Sequence, residues 1–352
     1  MDVYDMKIIL RNGITISIIL LLLNTCIITI SGDFSHIQEE NISQDSMKPG
    51  DYVNYIYVDG RIRSYRLHIP PSYENDESMP LVLVLHGIGV GSNAKNLQSY
   101  CDMDKKADEE GFITVYPNGE MLRLSAHYNR PIALLRDLFY MLTSSREWNR
   151  WDDNSIDDVG FINDLLDDLE TIVNVNSSRI YITGISGGGM MAYRLGSELS
   201  HRIAAIAPIA GSISGIGYVP EKNESIIPYI IPPPSNPIPV IIFHGMKDEH
   251  VPFDGTWKKV FEWRSDELWV YIGSVNESIS FWVEHNKCNP EPNIWTSEDE
   301  KISIKTYTNE SDNTEVVLVT YMEGGHEWFK SPTYQIDAND LIWDFFNKHP
   351  LS

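Results

Sequence analysis

Cysteine is scarce: the 352 residues hold three, and one of them, Cys26, lies in an apolar N-terminal stretch. A disulfide framework is therefore excluded. A single pair remains, Cys101 with Cys288, and spacing alone leaves open whether it forms. No close Cys/His cluster with metal-ligand spacing occurs, so no metal site is indicated. Positive charge is short as well: 27 Lys and Arg stand against 50 Asp and Glu, a net charge of -23. Generic attraction to phosphate then has the wrong sign, which argues against a nucleic-acid partner or adsorption to an anionic membrane. The Gly-rich stretch 85–92 lacks the G-x-x-x-x-G-K-[ST] pattern of a phosphate cradle, and no internal repeat is visible. What is plentiful is apolar surface, 42% of residues, enough for a sizeable core and too much for a disordered chain.

Lys7 and Arg11 precede an apolar run at 14–30, followed by the polar Ser31-Gly32-Asp33. This order reads as an export signal, with cleavage after Ser31 or retention of 14–30 as a membrane anchor as the two outcomes. Either places the folded part outside the cytoplasm. The expected organisation is 1–31 signal peptide or anchor, 32–50 linker and 51–352 a catalytic domain. Asn-x-Ser triplets at Asn41, Asn176, Asn223, Asn276 and Asn309 matter only in a glycosylating host.

Segments 52–58 and 61–69 alternate about Asp59-Gly60, a hairpin signature. LVLVL at 81–85 does not alternate, as expected of a strand buried on both faces of a parallel sheet. Similar runs occur at 112–116, 179–183, 203–209, 240–243 and 316–321. Between several of them lie helical patterns, clearest at 156–173, where apolar residues recur at three and four. Strands alternating with helices predict an α/β fold with a mostly parallel central sheet and helices on both faces. Two stretches, 120–152 and the Pro- and Gly-rich 213–239, break the rhythm and read as loop insertions over the sheet edge.

The strongest chemical signal is Gly184-Ile185-Ser186-Gly187-Gly188, after the strand-like RIYIT and before the helix-like GMMAYRLGSEL. Glycines on both sides allow a sharp strand-to-helix turn that lifts a serine hydroxyl clear of the sheet. The Gly187 N–H, at the helix start, is free to meet an oxyanion. A serine hydroxyl needs a base, and the base needs an orienting acid. Past the strand at 240–243 stands Asp248, with Glu249 and His250 as neighbouring alternatives. Past the strand at 316–321 stands His326, behind the pair Gly324-Gly325. A second oxyanion donor is expected from the loop His86-Gly87-Ile88-Gly89, at the Ile88 N–H, with His86 holding the loop in shape. Trp148, Trp151 and Trp328 are candidates for stacking on an aromatic acyl group or a sugar, ordinary packing being the alternative.

Taken together, PLVLVLHGIG (80–89), KKADEEGFITVYPNG (105–119), DDVGFINDLLDDL (157–169), the stretch 179–211, PVIIFHGMKDEHVPFDG (239–255), FWVEHNKC (281–288) and GGHEW (324–328) resemble the polyhydroxybutyrate depolymerase and feruloyl or acetylxylan esterase group of secreted α/β-hydrolases. The resemblance runs from about Tyr65 to Trp343. It implies the α/β-hydrolase fold and hydrolysis of carboxylic esters without metal or organic cofactor. It places nucleophile, acid and base on Ser186, Asp248 and His326, and the oxyanion donors on Ile88 and Gly187. The chain departs from the group between 120 and 152, where Arg146-Glu147-Trp148-Asn149-Arg150-Trp151 replaces a shorter Ser-Trp-Asn segment that often carries a Cys pair. With no polymer-binding module in the sequence up to Ser352, soluble or oligomeric esters are expected ahead of insoluble polymer. The same triad also serves peptide hydrolysis and acyl transfer, whereas a non-catalytic binding protein would be expected to have lost a triad member.

Overall fold

The computed structural model describes residues 47–89, 91–121, 146–149, 156–219, 224–263, 266–312 and 314–351. The chain divides into two units, Met1–Ile42 and Ser43–Ser352. The first, with the apolar run 14–30, lies outside the described residues, and so does most of 120–152, Trp151 included. Among the described residues no helix is long and apolar enough to cross a membrane.

In chain order the described elements are β1 (Gly50–Val58), β2 (Arg61–Ile69), β3 (Met79–Leu85), α1 (Ala94–Cys101), α2 (Met103–Glu110), β4 (Ile113–Pro117), β5 (Glu120–Met121), β6 (Arg146–Glu147), α3 (Asp158–Ile172), β7 (Val175–Ile185), α4 (Gly187–Glu198), β8 (Ala205–Ile209), β9 (Ser214–Val219), β10 (Glu224–Ile230), β11 (Val240–Gly245), β12 (Thr256–Trp263), β13 (Asp266–Ile272), α5 (Val275–His285), β14 (Asn293–Thr296), β15 (Ile302–Asn309), β16 (Thr314–Tyr321) and α6 (Ala338–Lys348). The hairpin forms as expected. Val58 pairs with Arg61, and the turn places Asp59 at φ 50 and Gly60 at φ 75, the positive pair that two-residue hairpin turns require.

Ten strands make the main sheet in the order β1-β2-β4-β3-β7-β8-β11-β16-β15-β14. From β4 to β16 neighbours run parallel, and antiparallel pairs flank them at both ends. Strand side chains alternate between two cores. Leu81, Leu83 and Leu85 of β3 pack with Phe161, Ile162 and Leu165 of α3 and with Trp282 of α5. Val82 and Val84 pack on the opposite face with Leu97 and Cys101 of α1 and Phe345 and Phe346 of α6. Burial on both faces is why these strands read as unbroken apolar runs. Cys101 belongs to one core and Cys288 to the other, and both are unpaired.

The expected loop at 213–239 is a correction. Its first part folds as β9 and β10, which join β13 and β12 in a four-stranded antiparallel sheet of order β10-β9-β13-β12. Strand order reverses between β3, whose chain continues to β4 on one side, and β7, which continues to β8 on the other. In open α/β sheets the crevice beyond the carboxyl ends of the strands at such a reversal is where ligands bind. The loop carrying His86 follows β3, and Ser186 follows β7.

Candidate active site

Ser186 joins β7 to α4 with φ 59 and ψ -120, a backbone an L-residue holds only when its surroundings enforce it. The enforcement is local. The Ser186 N–H donates to the Ile209 carbonyl at 2.9 Å, and its carbonyl accepts the Met190 N–H at 2.9 Å. The helix also lies hard against β3: a Cβ on Gly188 would fall 2.1 Å from the Leu85 carbonyl oxygen, and one on Gly184 would fall 2.7 Å from the Gly188 carbonyl oxygen. Side chains at these two positions would push α4 away from the sheet.

Gly187 opens α4, where an N–H has no intrahelical acceptor. Ile88 lies against it, so that a Cβ on Gly187 would fall 2.3 Å from Ile88 Cγ1. The two expected oxyanion residues are therefore neighbours. They sit beside a cavity of about 310 Å³ whose lining includes Gly87, Ile88, Ser186 and His326.

Of the three candidates just past β11, Asp248 is the one that meets the histidine. Its Oδ2 accepts from His326 Nδ1 at 2.8 Å, and its Oδ1 accepts the N–H groups of His250 and Val251, each at 2.8 Å. Burial pushes the Asp248 carboxyl up, but the His326 hydrogen bond and charge and the Val251 N–H outweigh it and hold the group below its usual value. A carboxylate in this state fixes His326 with its proton on Nδ1 and leaves Nε2 as the ring nitrogen available as a base. Glu249 and His250 are exposed. The His250 ring lies 5.0 Å from that of His326, and Lys258 of β12 donates to the carbonyls of both Glu249 and His250, tying the second sheet to this loop. Buried His244, its imidazole brought down by desolvation, supports the same loop through Nε2 and the Val251 carbonyl at 2.7 Å.

His86 does hold its loop. Gly119 N–H donates to Nε2 at 3.0 Å, so the ring proton is on Nδ1 and donates to the Gly87 carbonyl at 2.7 Å. Desolvation brings the ring down to about 4, so it stays neutral at ordinary pH.

Of the two readings open for Trp148 and Trp328, stacking on a ligand or ordinary packing, both side chains are found packed in the interior, and neither lines this cavity. Trp148 is 2% exposed, stacks on His86 at 4.9 Å between centroids and donates its indole N–H to the His86 carbonyl at 2.9 Å. Trp328, also 2% exposed, donates to Asn339 Oδ1 at 2.8 Å. Trp151 lies outside the described residues.

Tyr100, 45% exposed, does line the cavity, and it shares the α1 wall with Asn93, Asn96 and Leu97. Sequence reasoning missed this wall. Its signal was the helical spacing of Asn93, Leu97 and Tyr100 just after the Gly-rich loop. Away from the site, Asp51, His68 and Asp104 bring ligand-type atoms within 4.8 Å of one another. Protein bonds engage all three: His68 bonds Asp51 and Asp108, each at 2.9 Å, and Asp104 accepts from Thr114 and Tyr116, each at 2.6 Å.

A family model described as phospholipase/carboxylesterase matches residues 72–262. The chain is 31% identical over 201 residues to "Putative esterase NocK" of Nocardia uniformis subsp. tsuyamanensis, a match covering 57% of this chain and 49% of that protein. It is 24% identical over 264 residues to feruloyl esterase B of Piromyces equi, covering 75% of this chain and 42% of the relative. The chain thus spans half or less of the length of these curated relatives. Among solved structures, the acetyl xylan esterase from Aspergillus awamori superposes with a TM-score of 0.50 at 12% identity, covering 84% of this chain and 99% of the other, a likeness of fold alone.

Proposed function

We propose that this chain, which belongs to the phospholipase/carboxylesterase family of α/β-hydrolases, is a serine esterase acting through Ser186, His326 and Asp248. The observation that carries the reading is the bond from His326 Nδ1 to Asp248 at 2.8 Å, in a histidine that lines one cavity with a conformationally enforced serine. In the proposed cycle Ser186 Oγ attacks the ester carbonyl while His326 Nε2 takes its proton. The oxyanion is met by the N–H groups of Gly187 and Ile88. Collapse expels the alkoxide, which takes the proton back from His326. Water then repeats the sequence on the acyl-enzyme and regenerates Ser186. Asp248 keeps the ring in the working tautomer and stabilises its charged form.

The substrate class is a feruloyl or acetyl ester of a polysaccharide or a polyhydroxybutyrate-type oligoester. Support comes from the motif set of the esterase group and from relatives whose names carry feruloyl and acetylxylan esterase activity. Export through residues 14–30, with the catalytic unit following, is part of the same reading.

The test compares the chain from about residue 32 with its Ser186→Ala variant on p-nitrophenyl acetate, p-nitrophenyl butyrate and methyl ferulate. Turnover that vanishes in the variant supports the esterase, and equal rates in both proteins overturn it. A competing alcohol in the same assay separates hydrolysis from acyl transfer, and peptide substrates test for a peptidase.

A further inference from the structure

His326 follows Gly324 and Gly325, and two glycines in succession give a loop wide backbone freedom just where a base must be held to a fraction of an ångström. Upstream, the loop is held by backbone bonds: the Lys247 N–H donates to the Gly324 carbonyl at 2.9 Å and the Gly324 N–H to the Tyr321 carbonyl at 3.1 Å. Downstream, Trp328 is locked in the core through Asn339. Across His326 itself runs a side-chain bridge. Glu327 Oε1 accepts the Gly325 N–H at 3.2 Å, joining the residue before His326 to the residue after it. The same oxygen accepts the Tyr334 hydroxyl at 2.6 Å. Tyr334 is fixed in turn, with edge contacts to Tyr321 at 4.9 Å and Phe329 at 5.3 Å and its N–H on the Lys330 carbonyl at 3.0 Å. The aromatic cluster is anchored to β16 and the loop before α6, so its rigidity is that of the core.

We infer that Glu327 and Tyr334 are positioning residues for His326: Tyr334 sets the Glu327 carboxylate, and Glu327 closes the Gly-Gly loop across the histidine so that its ring meets Asp248 and the cavity together. Neither residue lines the cavity, so neither touches substrate there. What the bridge requires is an acceptor oxygen at the Glu327 position, not a charge. The inference rests on the proposed role of His326 as base.

That distinction makes the test. Glu327→Ala removes the acceptor and with it the bridge, and Tyr334→Phe removes the hydroxyl that sets that acceptor, whereas Glu327→Gln keeps an acceptor for both donors. Loss of geometry at a base costs the chemical step rather than binding. On p-nitrophenyl acetate, kcat is expected to fall roughly tenfold or more in Glu327→Ala and Tyr334→Phe with KM changed less than about twofold, and to stay within about threefold of wild type in Glu327→Gln. The downfield proton resonance of His326 Nδ1–H, read by NMR without any substrate, is expected to broaden or vanish in the two disrupting variants and persist in Glu327→Gln. Tyr334→Phe removes one oxygen atom, so it keeps the test alive if Glu327→Ala fails to fold.

Wild-type kcat and an unchanged resonance in Tyr334→Phe and Glu327→Ala would overturn the inference, as would a Gln variant as impaired as Ala. Failure of the esterase reading is distinguishable, because it shows as equal rates in wild type and Ser186→Ala, whereas the NMR signal reports the His326 geometry directly.

Discussion

Trp148 lies stacked on His86 and donates its indole N–H to the His86 carbonyl at 2.9 Å, so a residue from the segment 146–149 braces the loop that carries Ile88. The segment is braced in its turn. The Asn149 N–H donates to Asp158 Oδ2 at 2.6 Å, while Asp158 Oδ1 pairs with Arg63 at 2.6 Å in the interior. An ion pair at the start of α3 is thereby linked to the loop that carries Ile88 through two tryptophan contacts and one backbone bond.

Trp148→Phe should keep an aromatic face against His86, though a smaller one, and lose the donor. The expected result is a fall of about tenfold in kcat/KM that is equal for acetyl, butyryl and feruloyl esters, because a displaced oxyanion donor affects every acyl group alike. Kinetics across the three esters check it. A change in selectivity between feruloyl and acetyl esters would return Trp148 to a substrate-contacting role.

Asp158→Asn should destabilise the fold by about 3 kcal/mol, since it leaves the buried Arg63 guanidinium without its main counter-charge. Urea denaturation monitored by tryptophan fluorescence measures this. A loss well below about 1 kcal/mol would mean that Glu120, 3.8 Å from Arg63, is enough to carry the charge.

Much of this could be read before the fold was known. The central strands were legible because burial on both faces removes alternation, and Ser186 was legible because a turn between buried strand and helix demands glycine at fixed offsets. The second sheet was not. Its pairs join Gly215 to Ile272 and Tyr218 to Trp269 across some fifty residues, and the Pro- and Gly-rich composition of 213–239 imitates a loop. The role of Trp148 was hidden for the same reason, because its partner His86 is 62 positions away.

Asp248→Asn should cost about three to four orders of magnitude in kcat with the fold intact, because an amide presents a donor as readily as an acceptor and releases the His326 tautomer. Steady-state kinetics with circular dichroism as the folding control decide this. A loss under about tenfold would assign the acid's role elsewhere on the loop.

His68 gives a pH-dependent contribution to stability. Burial lowers its imidazole, but Asp104, Asp51 and Asp108 outweigh burial and raise it above its ordinary value. A group raised on folding stabilises fully below its unfolded value, about 6.5, and the contribution is lost as pH rises through the folded value. His68→Gln should therefore destabilise more at about pH 5.5 than at about pH 8.5, by about 1 kcal/mol or less given that Asp51 and Asp108 are largely exposed. Denaturation midpoints at the two pH values test the sign, and an equal or reversed effect would refute the pairing.

The central claim is that Ser186 carries the acyl group. The most direct measurement is intact-protein and peptide mass spectrometry after a brief, acid-quenched exposure to p-nitrophenyl butyrate, or to a serine-directed fluorophosphonate where the acyl-enzyme turns over too fast to trap. The account expects one adduct per chain, on Ser186, and none in Ser186→Ala. An adduct on another residue, or ester turnover that persists in Ser186→Ala, would contradict it.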